Sequence, residues 1–142
     1  MLIAPDTDVK IGVFDIETLA ELFDIGVYDP DLKQWYEFEV SSYRNDLFKL
    51  VHFYHSKPFD YWVSFNGISF DHQVLQFIIN EYQKWVDLSN IEVCGKIYAF
   101  VQQLIDNQNY GMFLPYKEES FPVKCIDLYR IHHFNNEARR TS

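Results

Sequence analysis

The sequence predicts an α/β fold: a mixed sheet with helices packed on it, in which three antiparallel strands lead and parallel strands follow. Two observations predict it. Residues 10–40 hold three short apolar or alternating runs and no stretch of helical period, so the chain opens with strands. Beyond residue 45, stretches with apolar residues at three-four spacing alternate with short apolar runs. Each later strand then enters through a helical crossover and pairs in parallel.

The elements follow in order. Residues 10–14 end in Ile11-Gly12-Val13-Phe14, a short buried strand. Residues 23–28 and 34–40 are two more, and Asp29-Pro30-Asp31 between them is a turn signal that makes the pair a hairpin. Tyr36, Phe38 and Val40 alternate with Glu37 and Glu39, which fits a sheet with one wet face. Residues 45–55 form a helix with Leu47, Leu50, Val51 and Tyr54 on one stripe, stopped by Pro58. Residues 60–65 are the next strand. Residues 71–86 form a long amphipathic helix with Asp71 at its N-terminus, where the dipole favours an anion. A third helix spans 92–106, a loop 107–119 and a last strand 123–128, and helix-forming residues close the chain.

Composition bounds the class. The 142 residues suit a single domain, and 48% hydrophobic with 18% aromatic residues is ample for a core. No apolar run approaches the ~20 residues of a membrane span, and Met1 to Asp6 turns acidic too soon for a signal peptide. The expectation is a cytoplasmic protein with Cys94 and Cys125 as free buried thiols. The net charge of -9 argues against a protein that coats nucleic acid through a basic face. The charge is also uneven: residues 1–39 carry ten carboxylates against two lysines, whereas residues 124–142 are net basic.

Two motifs carry chemistry. Asp15-Ile16-Glu17-Thr18 follows the first apolar run, and Asn66-Gly67-Ile68-Ser69-Phe70-Asp71 follows Tyr61-Trp62-Val63-Ser64-Phe65. Each sets carboxylates at the end of a predicted buried strand, a costly place for charge unless a cation sits there. Asp15 and Glu17, two apart, share one strand face. Asp71 approaches from the neighbouring strand. Three oxygen donors from two strands suit Mg²⁺ or Mn²⁺, and a pair of such ions is the common apparatus for cutting phosphodiesters. Asn66 is a candidate substrate contact or a plain turn residue. Phe70 is read mainly as structural, packing to aim Asp71.

These residues carry a resemblance. Asp15-Ile16-Glu17 resembles the first motif of the DEDD superfamily of 3′–5′ exonucleases, which have a ribonuclease H-like fold. Asn66-x-x-x-Phe70-Asp71 resembles the second motif in the form found in proofreading domains of family B DNA polymerases. Cys125-Ile126-Asp127-Leu128-Tyr129-Arg130 resembles the Asp-Leu strand that follows, and the whole is most similar to polymerase-associated exonucleases of bacteriophages. The resemblance implies two divalent metal ions, Mg²⁺ or Mn²⁺, and Asp15, Glu17 and Asp71 as catalytic metal ligands. Asp15 would bridge the ions, Glu17 would hold the tighter one and Asp71 the other. Thr18, Asn66 and Phe70 would contact a single-stranded DNA 3′ end. A DNA polymerase is an implied partner, and a bacterial host cell the implied setting.

The chain departs from the pattern in one respect. The superfamily's third motif, Tyr or His followed four residues later by Asp, is absent; His133-Phe134-Asn135-Asn136-Glu137 is the nearest match. The expectation is an exonuclease domain that lacks its C-terminal helix, weak or inactive unless a second chain supplies the missing motif. A binding module of the same fold that does not cut, or a ribonuclease of the same superfamily, remains open. Asp127 is read as supporting rather than liganding. His132 and His133 are read as packing or surface residues. Arg130, Arg139 and Arg140 fit phosphate contacts or solvated charge equally, and Tyr129 fits base stacking.

Overall fold

The computed structural model describes residues 9–65, 70–111, 114–117 and 120–128. Six strands form one sheet in the order β4-β3-β2-β1-β5-β6. β1 (Ile11–Leu19), β2 (Leu22–Asp29), β3 (Gln34–Ser41) and the two-residue β4 (Arg44–Asn45) form an antiparallel meander. β5 (Tyr61–Ser64) pairs in parallel with β1, and β6 (Lys124–Asp127) in parallel with β5. α1 (Leu47–His55) precedes β5. α2 (Asp71–Glu81), a 3₁₀ turn (Tyr82–Trp85) and α3 (Asn90–Asn109) lie between β5 and β6. This mixed sheet with its helices is the fold class the sequence predicts, and it is compatible with a ribonuclease H-like arrangement.

The alternation of β1 builds the core. Gly12, Phe14 and Ile16 are buried under the helices while Val13, Asp15 and Glu17 face the other way and are exposed. Phe23, Ile25 and Val27 of β2 and Phe38 and Val40 of β3 continue the buried face. α3 packs across β1, β2 and β3, and Cys94 Sγ donates to the Val40 carbonyl at 3.0 Å. Trp62 lies at the centre, fully buried, edge-on to Phe14 and Phe59. Gly12 is required here: a Cβ at this position would overlap the Phe59 ring.

Local chemistry sets the breaks. Asp29 Oδ1 accepts from the backbone N–H of Asp31 and Leu32, and Lys33 takes a left-handed φ of 52° to close the β2–β3 turn. α3 opens with a capping box in which Ser89 Oγ accepts from the Glu92 N–H and Glu92 accepts from the Ser89 N–H.

Several boundaries differ from the sequence expectation. β1 runs to Leu19 rather than stopping at Phe14, because β2 pairs with it as far as Leu19↔Leu22. Asp15 and Glu17 therefore sit within the strand on its exposed face, not at a buried strand end. The helix expected over 71–86 stops at Glu81 and tightens into the 3₁₀ turn. α1 begins at Leu47, since Arg44 and Asn45 extend to pair with β3. α3 is longer than expected and takes in residues 107–109 of the predicted loop. Only Cys94 is a fully buried thiol; Cys125 is half-buried. Asn66, Tyr129, Arg130, His132, His133, Glu137, Arg139 and Arg140, and with them the expected missing helix, lie outside the described residues.

Candidate metal centre

β1 outruns β5. Their pairing covers Ile11 to Val13, while β1 continues to Leu19 with β2 along its other side. α2 starts at the end from which β5 exits, so its first residue reaches the bare flank of β1. There the Ile16 N–H is near enough to the Asp71 carboxyl to favour its charged form. Asp71 is 3% exposed, and its carboxyl is pushed up to about 8. Burial is the largest cause, the Asp15 charge the next, and Asp127 adds a smaller push; the Ile16 hydrogen bond opposes them. The fold thus sets Asp71 in the field of Asp15 from β1 and of Asp127 from β6, without gathering the three acids within ligand distance of one another. Asp127 closes β6 and is itself 5% exposed.

Glu17 lies one alternation beyond Asp15 and faces a second group of acids. The antiparallel register sets Glu17 beside Asp24, Asp24 beside Glu39, and Asp15 and Glu37 on either side of Gly26. Oxygens from Asp24, Glu37 and Glu39 lie within 4.8 Å of one another, a cluster that could hold a metal ion. Asp24 is pushed up to about 6, by burial first and then by Glu37, Glu39 and Glu17. Trp35 covers Gly26 from the same face and packs against Tyr28 at 4.8 Å between ring centres. The sequence reading missed Asp24, Glu37 and Glu39 as a cluster. Its signal was present in the alternation of β3, but the neighbours depend on the hairpin register.

Thr18 and Phe70 meet elsewhere. With Glu17 and Leu19 they line a groove of about 480 Å³ whose far wall is Tyr98, Val101, Gln102 and Ile105 of α3. Phe70 also packs against the core, as its structural reading expects. His72, next after Asp71, is 2% exposed and pushed down to about 4, chiefly by burial. Its Nδ1 lies 3.2 Å from Cys125 Sγ.

The donor set fits a hard divalent cation. All candidates are carboxylates, and the Ser64 hydroxyl, level with Asp127 in the β5–β6 register, is buried without a hydrogen-bond partner among the described residues. Oxygen ligands of this kind suit Mg²⁺ or Mn²⁺. A cation here would also relieve the repulsion that raises Asp71.

Neither a family model nor a curated protein matches the chain. Among solved structures, it is similar to the family B DNA polymerase from the hyperthermophilic archaeon Pyrobaculum calidifontis, at 16% identity and a TM-score of 0.46. The similarity covers 89% of this chain and 16% of that polymerase. It assigns no residue and no activity. No described helix is long and apolar enough to cross a membrane.

Proposed function

We propose that this chain is a metal-dependent 3′–5′ exonuclease domain that removes nucleotides from single-stranded DNA ends in replication or proofreading. The observation that carries the reading is Asp71, buried at the bare flank of β1, where burial and the charge of Asp15, remote in sequence, push its carboxyl up. A cation bound beside such a carboxyl would displace its proton and favour the ionised form. Asp15, Glu17 and Asp71 would hold two divalent ions, Mg²⁺ or Mn²⁺. Bound ions of this kind supply a water nucleophile at neutral pH and neutralise charge on the leaving oxygen.

The chain's own residues have separable parts in this reading. Asp15 would contribute to both ion positions, with Glu17 serving one and Asp71 the other. Thr18 and Phe70 flank an apolar groove beside Glu17 that suits the terminal nucleoside. Asn66 is kept as a further substrate contact. A bacteriophage origin, action in the host cytoplasm and a polymerase or second-chain partner belong to the same proposal.

A second reading rests on the sequence: with no Tyr or His followed four residues later by Asp, the domain binds nucleic acid or a polymerase without cutting. Degradation of 5′-labelled and 3′-labelled single-stranded DNA in Mn²⁺ decides between them. An exonuclease shortens the 5′-labelled strand stepwise and releases the 3′ label at once as a mononucleotide, and Asp15→Ala abolishes both. Binding without cleavage supports the second reading. Preferential loss of an RNA strand moves the substrate to RNA.

A further inference from the structure

α2 begins at Asp71 without a cap. Its N-cap position is Phe70, whose side chain has no oxygen to accept from the free N–H groups of the first turn. A helix end of that kind frays unless tertiary contacts hold it. Here they do: Asp71, His72 and Gln73 are all buried, at 3%, 2% and 0% exposed. Gln73 ties one side of the turn at two points. Its Nε2 donates to the Tyr116 carbonyl at 2.7 Å, and its Oε1 accepts from the Tyr116 N–H at 3.0 Å.

His72 ties the other side. Its ring stands edge-on to Phe14 at 4.8 Å between ring centres and meets Phe121 at 5.6 Å. Its Nδ1 lies 3.2 Å from Cys125 Sγ. One side chain thus joins α2 to β1, at the residue before Asp15, and to β6. A phenylalanine could make the two ring contacts with no polar group to bury. What the imidazole adds is the directional contact to Cys125, and a satisfied buried hydrogen bond specifies an arrangement that apolar packing alone leaves looser. Cys125 Sγ can donate to His72, or donate to the Val123 carbonyl 3.4 Å away and accept from the ring.

We propose that His72, held by Cys125, is a positioning residue: it fixes the uncapped first turn of α2 so that the Asp71 carboxyl is aimed at a divalent cation on the flank of β1. Neither His72 nor Cys125 touches the cation; both act through Asp71. The inference rests on the metal-site reading of Asp71, and adds to it the residues that place that carboxyl.

Calorimetric titration of Mn²⁺ into the full chain tests it, with thermal unfolding of each variant in EDTA. The variants are Asp71→Asn, His72→Phe, Cys125→Ala and Cys125→Ser, with Leu50→Ala in α1 as a control for general loss of stability. His72→Phe keeps the ring and removes the nitrogen; it is expected to weaken Mn²⁺ binding about tenfold at an unchanged or higher metal-free melting temperature. Cys125→Ala should weaken binding by a similar factor, and Cys125→Ser, which keeps a donor and an acceptor, should restore most of it. Leu50→Ala should lower the melting temperature and leave Mn²⁺ binding intact. Binding that is lost in Asp71→Asn but intact in His72→Phe or Cys125→Ala overturns this proposal and leaves the metal-site reading standing. So does an equal loss in Cys125→Ser and Cys125→Ala, or an equal loss in Leu50→Ala. Binding that survives in Asp71→Asn, or is absent from the parent chain, overturns the two together. If His72→Phe does not fold, the Cys125→Ala and Cys125→Ser pair decides by the same criteria.

Discussion

Two groups of acids lie one alternation apart on this sheet, and they are built in opposite ways. Asp15, Asp71 and Asp127 come from β1, α2 and β6, and the last two are buried. Asp24, Glu37 and Glu39 come from one hairpin and sit on a face where Glu37 is open to water. The hairpin group is the tighter by distance, yet the strand-end group carries the larger perturbation: Asp71 reaches about 8 and Asp24 about 6. Proximity of acids on a wet face is cheap, because solvent screens it. Burial of a carboxyl such as Asp71 beside the charges of other acids is expensive. Glu17 lines the apolar groove beside Thr18 and, together with Asp15, the open-face groove beside Asp24 and Glu37.

The largest expected effect separates the two groups directly. Mn²⁺ should raise the melting temperature of the parent chain, as any ligand of the folded state alone does. Asp15→Ala and Asp71→Asn should remove that rise, together with about 100-fold or more of any nuclease activity. Glu37→Gln should leave it in place. The opposite pattern, a rise lost in Glu37→Gln and kept in Asp15→Ala, would move the metal to the hairpin group and break the comparison.

The next effect is a pH dependence with a defined sign. Asp71 is raised in the folded state above its ordinary value of 3.8, so the fold binds a proton that the unfolded chain has released. Its contribution is present at low pH and is lost as pH rises from about 4 to about 8, at up to about 1.4 kcal/mol per pH unit. In EDTA, denaturant midpoints should fall across that window, and Asp71→Asn should flatten the fall. Saturating Mn²⁺ should also flatten it, because the cation replaces the proton. Mn²⁺ affinity itself should climb with pH over the same range. A flat EDTA profile in the parent chain would show that Asp71 is better solvated than its burial implies.

Much of this was legible in the sequence. Asp15 and Glu17 follow an apolar run and alternate with Phe14 and Ile16, so their shared face could be read. The true end of β1 could not, because carboxylates inside a strand look like its terminus until the partner strand is known. Asp24, Glu37 and Glu39 were each visible, but their meeting depends on a register fixed by the Asp29 turn. Asp127 was visible too, as the polar end of a short strand. Its proximity to Asp71 depends on β6 lying beside β5 with α2 above them, which no local pattern encodes.

A smaller effect tests how β1 is seated. Gly12 lies against the Phe59 ring, and Gly12→Ala would force ring or strand to move. Overpacking of this kind costs about 1–3 kcal/mol, read as a lower denaturant midpoint. Gly12 shares β1 with Asp15, and both pair along the same strand that must reach Asp71. The displacement should therefore also weaken Mn²⁺ binding. The β2–β3 hairpin keeps its own turn and register, so the environment of Trp35 should be unchanged by fluorescence. Altered Trp35 emission with intact Mn²⁺ binding would mean that the hairpin, not the strand ends, absorbs the strain.

The smallest effect belongs to Asp24. Its carboxyl is raised by burial and by Glu37, Glu39 and Glu17, all of which disfavour its charge in the folded state. Its stabilising contribution is thus present near pH 4 and lost as pH rises through about 6. Asp24→Asn keeps the shape and removes the charge. At pH 7 it should raise the melting temperature, by less than about 1 kcal/mol of stability because the hairpin face is partly solvated. At pH 4 the gain should vanish, since Asp24 is then already neutral. If Asp24→Asn instead lowers the melting temperature at pH 7, and does so only when Mn²⁺ is present, the hairpin acids hold a cation of their own. The sheet would then carry metal on its open face as well as at its strand ends.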